Sequence, residues 1–271
     1  MNRSLAGWAL GALLVSPAEP PPYGLPLEGE AAEAFLHAAR VKAMRPIGTG
    51  ITHPEKATLT DGQRTLHGVF KTIDVDRPGL TEFDHGRAEV DFRDSYKFEI
   101  AAYELDKLLG LRLVPPTVER ELEGRKGSLQ LWVEGAMTEW DRQEKKQPAP
   151  DPDRWNEQMY KVRLLHQLTF NTDRGNIRNV LIDPDFRIYA IDHSRAFRRY
   201  DQLPGGEKDL THFSRAALTQ LRTLNAPLLK EKLGAWLTGP ELKALLKRRD
   251  LILALAERRV REQGEAAVLY P

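Results

Sequence analysis

The sequence predicts an α+β fold, with a small β-rich amino-terminal lobe carrying one key helix and a mostly α carboxy-terminal lobe. Three observations predict it. Strand-like runs separated by turn residues fill Met44 to Phe70; one strongly periodic helical segment follows near residue 100; and Leu- and Ala-rich helical pattern dominates from Leu210 to Ala267. The division expected along the chain is a leader at 1–18, a Pro-rich linker with a leading helix at 19–40, the β-rich lobe at 41–136 and the helical lobe at 137–271.

Taken in order, Arg3 precedes the apolar run LAGWALGALLV, and Ser16 and Ala18 stand at positions suited to a cleavage point. This reads as a signal peptide, since a span would need about 20 apolar residues; the rival reading is an amino-terminal helix packed on the domain. Export to the periplasm or outside the cell follows from the first reading, with no transmembrane anchor in the mature protein, and a cytoplasmic protein from the second. Residues 17–27 are Pro-rich and read as an extended linker. Met44 to Phe70 reads as two or three strands, with a glycine-containing turn at IGTGITHPEK, a second turn at Asp61 and Gly62, and Lys71 at the end of the last strand. Residues 74–95 are acidic and turn-rich, which suggests a loop. In the next segment Ile100, Tyr103, Leu105, Leu108 and Leu109 recur at helical spacing, Gly110 is a helix stop, and Pro115 and Pro116 rule out continuation. Glu99 lies near the start of that helix and Glu104 one turn on, the latter reading as a solvated charge.

A strand at Leu129 to Val133 leads through Glu134 and Gly135 to a polar connector at 141–153, and Trp155 to Phe170 reads as a helix. The final helices are broken at Pro227 and at Gly239-Pro240. The 40 Lys plus Arg against 39 Asp plus Glu leave a net charge of +1, which gives no basis for nucleic-acid binding. Basic runs at Lys247 to Arg249 and Arg258 to Arg261 read as solvated faces, whereas Arg195 to Arg199 stands where it could help an anionic substrate dock. The absence of cysteine excludes disulfides, thiol catalysis and Cys-based zinc sites. None of the seven histidines has the spacing of a zinc hydrolase, and no nucleophile elbow accompanies Ser194.

The chemistry concentrates in residues 171–197, NTDRGNIRNVLIDPDFRIYAIDHSRAF. Val180 to Ile182 and Ile188 to Ala190 read as a β-hairpin turning at Asp183 to Asp185. Asp173 and Asn179 then precede the first strand and Asp192 follows the second. Two carboxylates and an amide gathered by one turn offer the hard oxygens that suit Mg²⁺, which a protein holds by one or two groups with phosphates and water completing the shell. The bland alternative is that Asp and Asn crowd into turns for local hydrogen bonding.

The succession of glycine turn, Lys71, Glu99, connector, Asp173, Asn179 and Asp192 resembles the protein-kinase-like superfamily. More closely, NTDR…NVLID…AIDHSRAF is similar to bacterial phosphatidylinositol 3-/4-kinase-like proteins and to the related persistence-toxin and secretory-pathway kinases. The resemblance covers about residues 44 to 200 and is carried by order more than by any one motif. It implies an ATP- and Mg²⁺-dependent phosphotransferase: Lys71 on the nucleotide phosphates, Glu99 holding Lys71, and Gly48 and Gly50 letting backbone approach the phosphates. It also implies Glu134 bordering the adenine, Asp173 as catalytic base, and Asn179 and Asp192 as metal ligands. The partners are then a nucleotide and a hydroxyl-bearing acceptor of unspecified class. Two departures matter: the metal-binding Asn usually follows the catalytic Asp by five residues, where this chain has Arg178, and the glycine turn is short. Asn179 is preferred to Asn176 because it immediately precedes the strand. A catalytically silent nucleotide-binding module and an AMP-transferring enzyme remain the alternatives.

Overall fold

A computed structural model describes residues 24–48, 53–83 and 87–271. The expected leader at 1–18 and most of the Pro-rich linker lie outside these residues. The chain enters through Gly24 and forms α1 (Gly29–Ala38), which buries Ala32, Phe35 and Leu36 against the first sheet. Strands β1 (Arg40–Pro46), β2 (Glu55–Thr60) and β3 (Thr65–Lys71) run antiparallel, with Lys71 the last residue of β3.

The acidic stretch expected as a loop is instead a long antiparallel ribbon, β4 (Asp74–Phe83) and β5 (Arg87–Ser95). Its Pro78 and Gly79 gave the turn signal, yet they fall at a register shift between Arg77 and Leu80, where a two-stranded ribbon tolerates a missing donor. Helix α2 (Tyr96–Leu109) begins at Ser95, whose hydroxyl accepts from the Lys97 N–H, and ends at Gly110 in the left-handed conformation, φ 64°. Strands β6 (Thr117–Leu122) and β7 (Arg125–Leu131) complete a five-stranded sheet of order β1-β2-β3-β7-β6.

The lower half opens with β8 (Met137–Thr138) and α3 (Glu139–Glu144). Part of the expected connector is therefore helical, because Thr138 and Asp141 form a reciprocal capping box. Helix α4 (Pro152–Thr169) starts three residues earlier than expected, with Asp151 as cap and Pro152 in its first turn. The hairpin β9 (Val180–Ile182) and β10 (Ile188–Ala190) pairs as the sequence suggested, with Ala190 opposite Val180, and β8 flanks β9. A short parallel pair, β11 (Phe213–Ser214) with the chain's β12 (Leu269–Tyr270), brackets α5 (Arg215–Thr223), α6 (Ala226–Leu233), α7 (Gly239–Gln263) and α8 (Glu265–Val268). Pro227 and Pro240 begin α6 and α7 rather than breaking helices.

Two apolar cores result, a small one between α1 and the upper sheet and a large one among the lower helices. Helix α2 belongs to the large core: Phe98, Ala101, Ala102, Leu105 and Leu109 pack with residues of α4 to α7. Full burial of each larger side chain contributes roughly 1.5–3 kcal/mol, so α2 is tied to the lower lobe as firmly as to the sheet.

Candidate nucleotide and metal site

Strand β3, helix α2 and the β9–β10 hairpin converge on Lys71. Its Nζ donates to Glu99 Oε1 at 2.6 Å and to Asp192 Oδ1 at 2.7 Å. Glu99 is 1% exposed, and its second oxygen accepts the His193 N–H at 2.9 Å. Burial alone would push the Lys71 ammonium down, but Glu99 and Asp192 outweigh it and hold Lys71 above the usual lysine range. Burial likewise opposes the Asp192 carboxylate, and Lys71 holds it below the usual carboxylate range. Asp192 adopts φ 61°, the left-handed region that non-glycine residues avoid. The cost is borne at the residue whose side chain meets Lys71, a placement common at functional sites.

Asp173 lies across the hairpin. Its Oδ2 accepts from the side-chain amides of Asn179 at 2.8 Å and Asn176 at 3.1 Å, and its N–H donates to Asn171 Oδ1 at 2.8 Å. The extra residue between Asp173 and the strand is absorbed by a short 3₁₀ turn, Ile177–Asn179. Both asparagines therefore reach Asp173, but they differ in their oxygens. Asn176 is exposed and its Oδ1 accepts the Arg178 N–H, whereas Asn179 is 8% exposed and no backbone N–H takes its oxygen. That difference supports Asn179 as the metal-facing amide.

Other expected residues fare unevenly. Gly48 has φ 76° with open space where a Cβ would stand, and Gly50 lies outside the described residues. Glu134 is not free to border a base: its N–H and C=O pair with Gly24 at 2.9 and 2.8 Å, and its Oε1 meets His67 Nδ1 at 2.6 Å. The strand expected to reach Val133 stops at Leu131. Glu104, read as a solvated charge, is partly buried: its side chain is 21% exposed and pairs with Lys107 at 2.8 Å. The basic run after Asp192 is consumed internally. Arg195 and Arg198 pair with Glu89 on β5, and Arg199 with Asp76 on β4, so the run is no anion dock. Arg248, read as part of a solvated face, is fully buried; it donates to the carbonyls of Leu168, Arg198 and Tyr200.

Sequence reasoning missed Asp94 and Ser194. Asp94, 7% exposed, lies beside the Ser194 hydroxyl, and its Oδ1 is buried without a partner. Burial pushes its carboxyl up, the Ser194 hydroxyl opposes this, and the Asp192 charge adds to it. The signal was available only as an acidic residue before a helix cap, which is common on surfaces. His193 donates from Nε2 to Ala190 O at 3.2 Å, and His166 is a core histidine lowered by burial to about 3.

Among the described residues no group of three His, Cys, Asp or Glu side chains stands ready to enclose a metal. Asp192 and Asn179 instead carry hard oxygens of the kind a cation shares with phosphate and water, and the buried Asp94 Oδ1 beside Asp192 has no hydrogen-bond partner. These residues fit Mg²⁺. Two cavities of about 440 and 500 Å³, beside α1 and behind α2, contain none of the site residues.

No protein-family model matches the chain, and no curated protein matches it in sequence. Solved structures do. The chain is similar to hydra Fam20, solved with sugar, at 15% identity and TM-score 0.60 over 88% of this chain and 90% of that one. It is also similar to the Golgi casein kinase, at 15% identity and TM-score 0.61 over 88% of this chain and 77% of that one. At such identity the likeness establishes the fold: an antiparallel sheet and one key helix above a helical lobe, the two-lobed protein-kinase-like architecture.

Proposed function

We propose that this chain is an ATP- and Mg²⁺-dependent phosphotransferase acting on a hydroxyl acceptor. The observation that carries the reading is Lys71 held between Glu99 and Asp192, at 2.6 and 2.7 Å, with the Asp173–Asn179 pair joined to the same hairpin through the Ile191 N–H, which donates to Asn179 O at 2.9 Å. Lys71 supplies a fixed positive charge to nucleotide phosphates, and Glu99, buried and locked by the His193 N–H, keeps that charge from folding away. Asn179 and Asp192 hold the cation, which when bound neutralises phosphate charge. Asp173, oriented by two amide donors, takes the acceptor's proton as its oxygen attacks. Gly48, at φ 76°, lets backbone approach the phosphates.

The finer likeness to bacterial phosphatidylinositol 3-/4-kinase-like proteins rests on the residues 171–197 and belongs to this proposal, as do the division at residues 136 and 137 and export through a leader at 1–18. The Golgi placement in one neighbour's name agrees with a secretory route. Among the described residues no helix is long and apolar enough to cross a membrane.

The test is calorimetric titration with ATP and Mg²⁺, with turnover assayed in parallel. Metal-dependent binding lost in Asp192→Ala, and turnover abolished while binding persists in Asp173→Asn, is the expected pair of results. Binding with no turnover in the wild type turns the reading to a silent nucleotide-binding module, and AMP on the product to an AMP-transferring enzyme. No binding at all overturns it.

A further inference from the structure

Three carboxylates stand near Lys71, and the proposed reaction uses two of them. Asp94, next to last in β5, is 7% exposed, and its Oδ1 is buried with no hydrogen-bond partner. The Ser194 hydroxyl joins it to the known site: it donates to Asp192 Oδ1 at 3.4 Å and lies beside Asp94, whose carboxyl it lowers. The Ser95 N–H donates to Ser194 O at 2.9 Å, so the β5–α2 junction is laced to the segment after Asp192 and Asp94 is held inward. A buried carboxylate oxygen is ordinarily met by a donor or a cation. Here the neighbouring cations are engaged elsewhere, Lys71 by Glu99 and Asp192, and Arg195 by Glu89. Glu89 is shared by Arg195 and Arg198, so Asp94, Glu99, Asp192 and Glu89 set against Lys71, Arg195 and Arg198 leave a surplus of negative charge that a cation would offset.

We infer that Asp94 and Asp192 jointly hold a divalent cation of the Mg²⁺ or Mn²⁺ class, with the Ser194 hydroxyl between them. Two carboxylates suit such a hard cation, with water completing the shell until nucleotide phosphates replace part of it. The inference rests on the phosphotransferase reading only in giving Asp192 a metal. It has one competitor. Arg195 Nε is also buried without a partner, so a small rotation could pair Arg195 with Asp94 instead.

The experiment titrates Mn²⁺ alone into the nucleotide-free chain, followed by electron paramagnetic resonance and by thermal unfolding, in wild type, Asp94→Asn and Ser194→Ala. A cation ligand predicts that Asp94→Asn weakens Mn²⁺ binding by about tenfold or more while raising the metal-free unfolding midpoint, because a bare buried charge is gone. Ser194→Ala, which keeps both carboxylates, weakens Mn²⁺ in the same direction and serves if Asp94→Asn does not fold. Mn²⁺ affinity unchanged in either variant overturns the inference, as does a lowered metal-free midpoint in Asp94→Asn, the mark of an Arg195 pair. Wild type that binds Mn²⁺ only with ATP overturns the joint site and leaves the phosphotransferase reading standing; no Mn²⁺ binding with or without ATP removes both.

Discussion

Replacing Lys71 by Met tests whether the three-residue ion cluster is a unit. The substitution keeps length and apolar stem and removes the charge. Glu99, 1% exposed, is left with only the His193 N–H as partner. Breaking a buried pair by removing one partner costs roughly 3–5 kcal/mol, because the remaining charge is uncompensated. The Asp192 side chain is 38% exposed, so water screens its share and the expectation sits near the lower end, about 3 kcal/mol. For a protein of this size that lowers the thermal midpoint by about 6–12 °C. The assay is thermal unfolding without nucleotide or metal, beside the double variant Lys71→Met/Glu99→Gln. The double variant no longer buries a bare carboxylate and should regain about half the loss. A single variant within about 1 kcal/mol of wild type, or a double variant no more stable than the single, refutes the argument that Glu99 depends on Lys71.

Acid and alkali should act on different groups. Asp192, held below its ordinary value, contributes stability that is complete above about pH 4 and is lost as pH falls through its folded value. Lys71, held above its ordinary value, contributes below about pH 10 and loses that contribution only at higher pH. The cluster should therefore be insensitive through neutrality, and urea denaturation between pH 7 and 9, above the range in which the buried His166 and His193 take up protons on unfolding, checks this in an Asp106→Asn background. That background matters because burial pushes Asp106 up to about 7, so stability falls as pH rises from about 4 to 7; Asp106→Asn should flatten that slope. Arg248→Met should cost about 3 kcal/mol in the same assay, since three backbone carbonyls lose their buried donor.

The β9–β10 hairpin was legible because three features agreed there: a short apolar run, a Pro-Asp turn and polar ends. Helix α2 was legible for the same reason, with cap, periodicity and Gly110 stop all pointing one way. The order Lys71, Glu99, Asp173, Asn179, Asp192 singled out side chains of which Lys71 meets Glu99 and Asp192, and Asp173 meets Asn179. The β4–β5 ribbon was not legible. Its strands bury little, β4 being mostly exposed, so alternation was weak while Pro78 and Gly79 advertised a turn. Arg248 was lost to a general rule, since charged residues in a helical run are usually solvated and only the carbonyls of remote segments make burial tolerable. Glu134 failed because its pairing partner, Gly24, lies in another part of the chain. Long-range pairings of that kind leave no trace in local pattern.

The amino-terminal strap carries a consequence for biosynthesis. Glu33 accepts from Tyr103, 70 residues later, and Glu28 pairs with Arg187, 159 residues later. At roughly 5–20 residues per second, the ribosome makes the strap some 8–30 seconds before its last partner exists. The segment must wait for Arg187, which is made before α5 to α8 of the lower lobe. A nascent chain paused before Arg187 would thus carry an upper sheet without its final clasp, and pulling on the amino terminus should break the Glu28 pair first and then open the small core, which α1 helps to build.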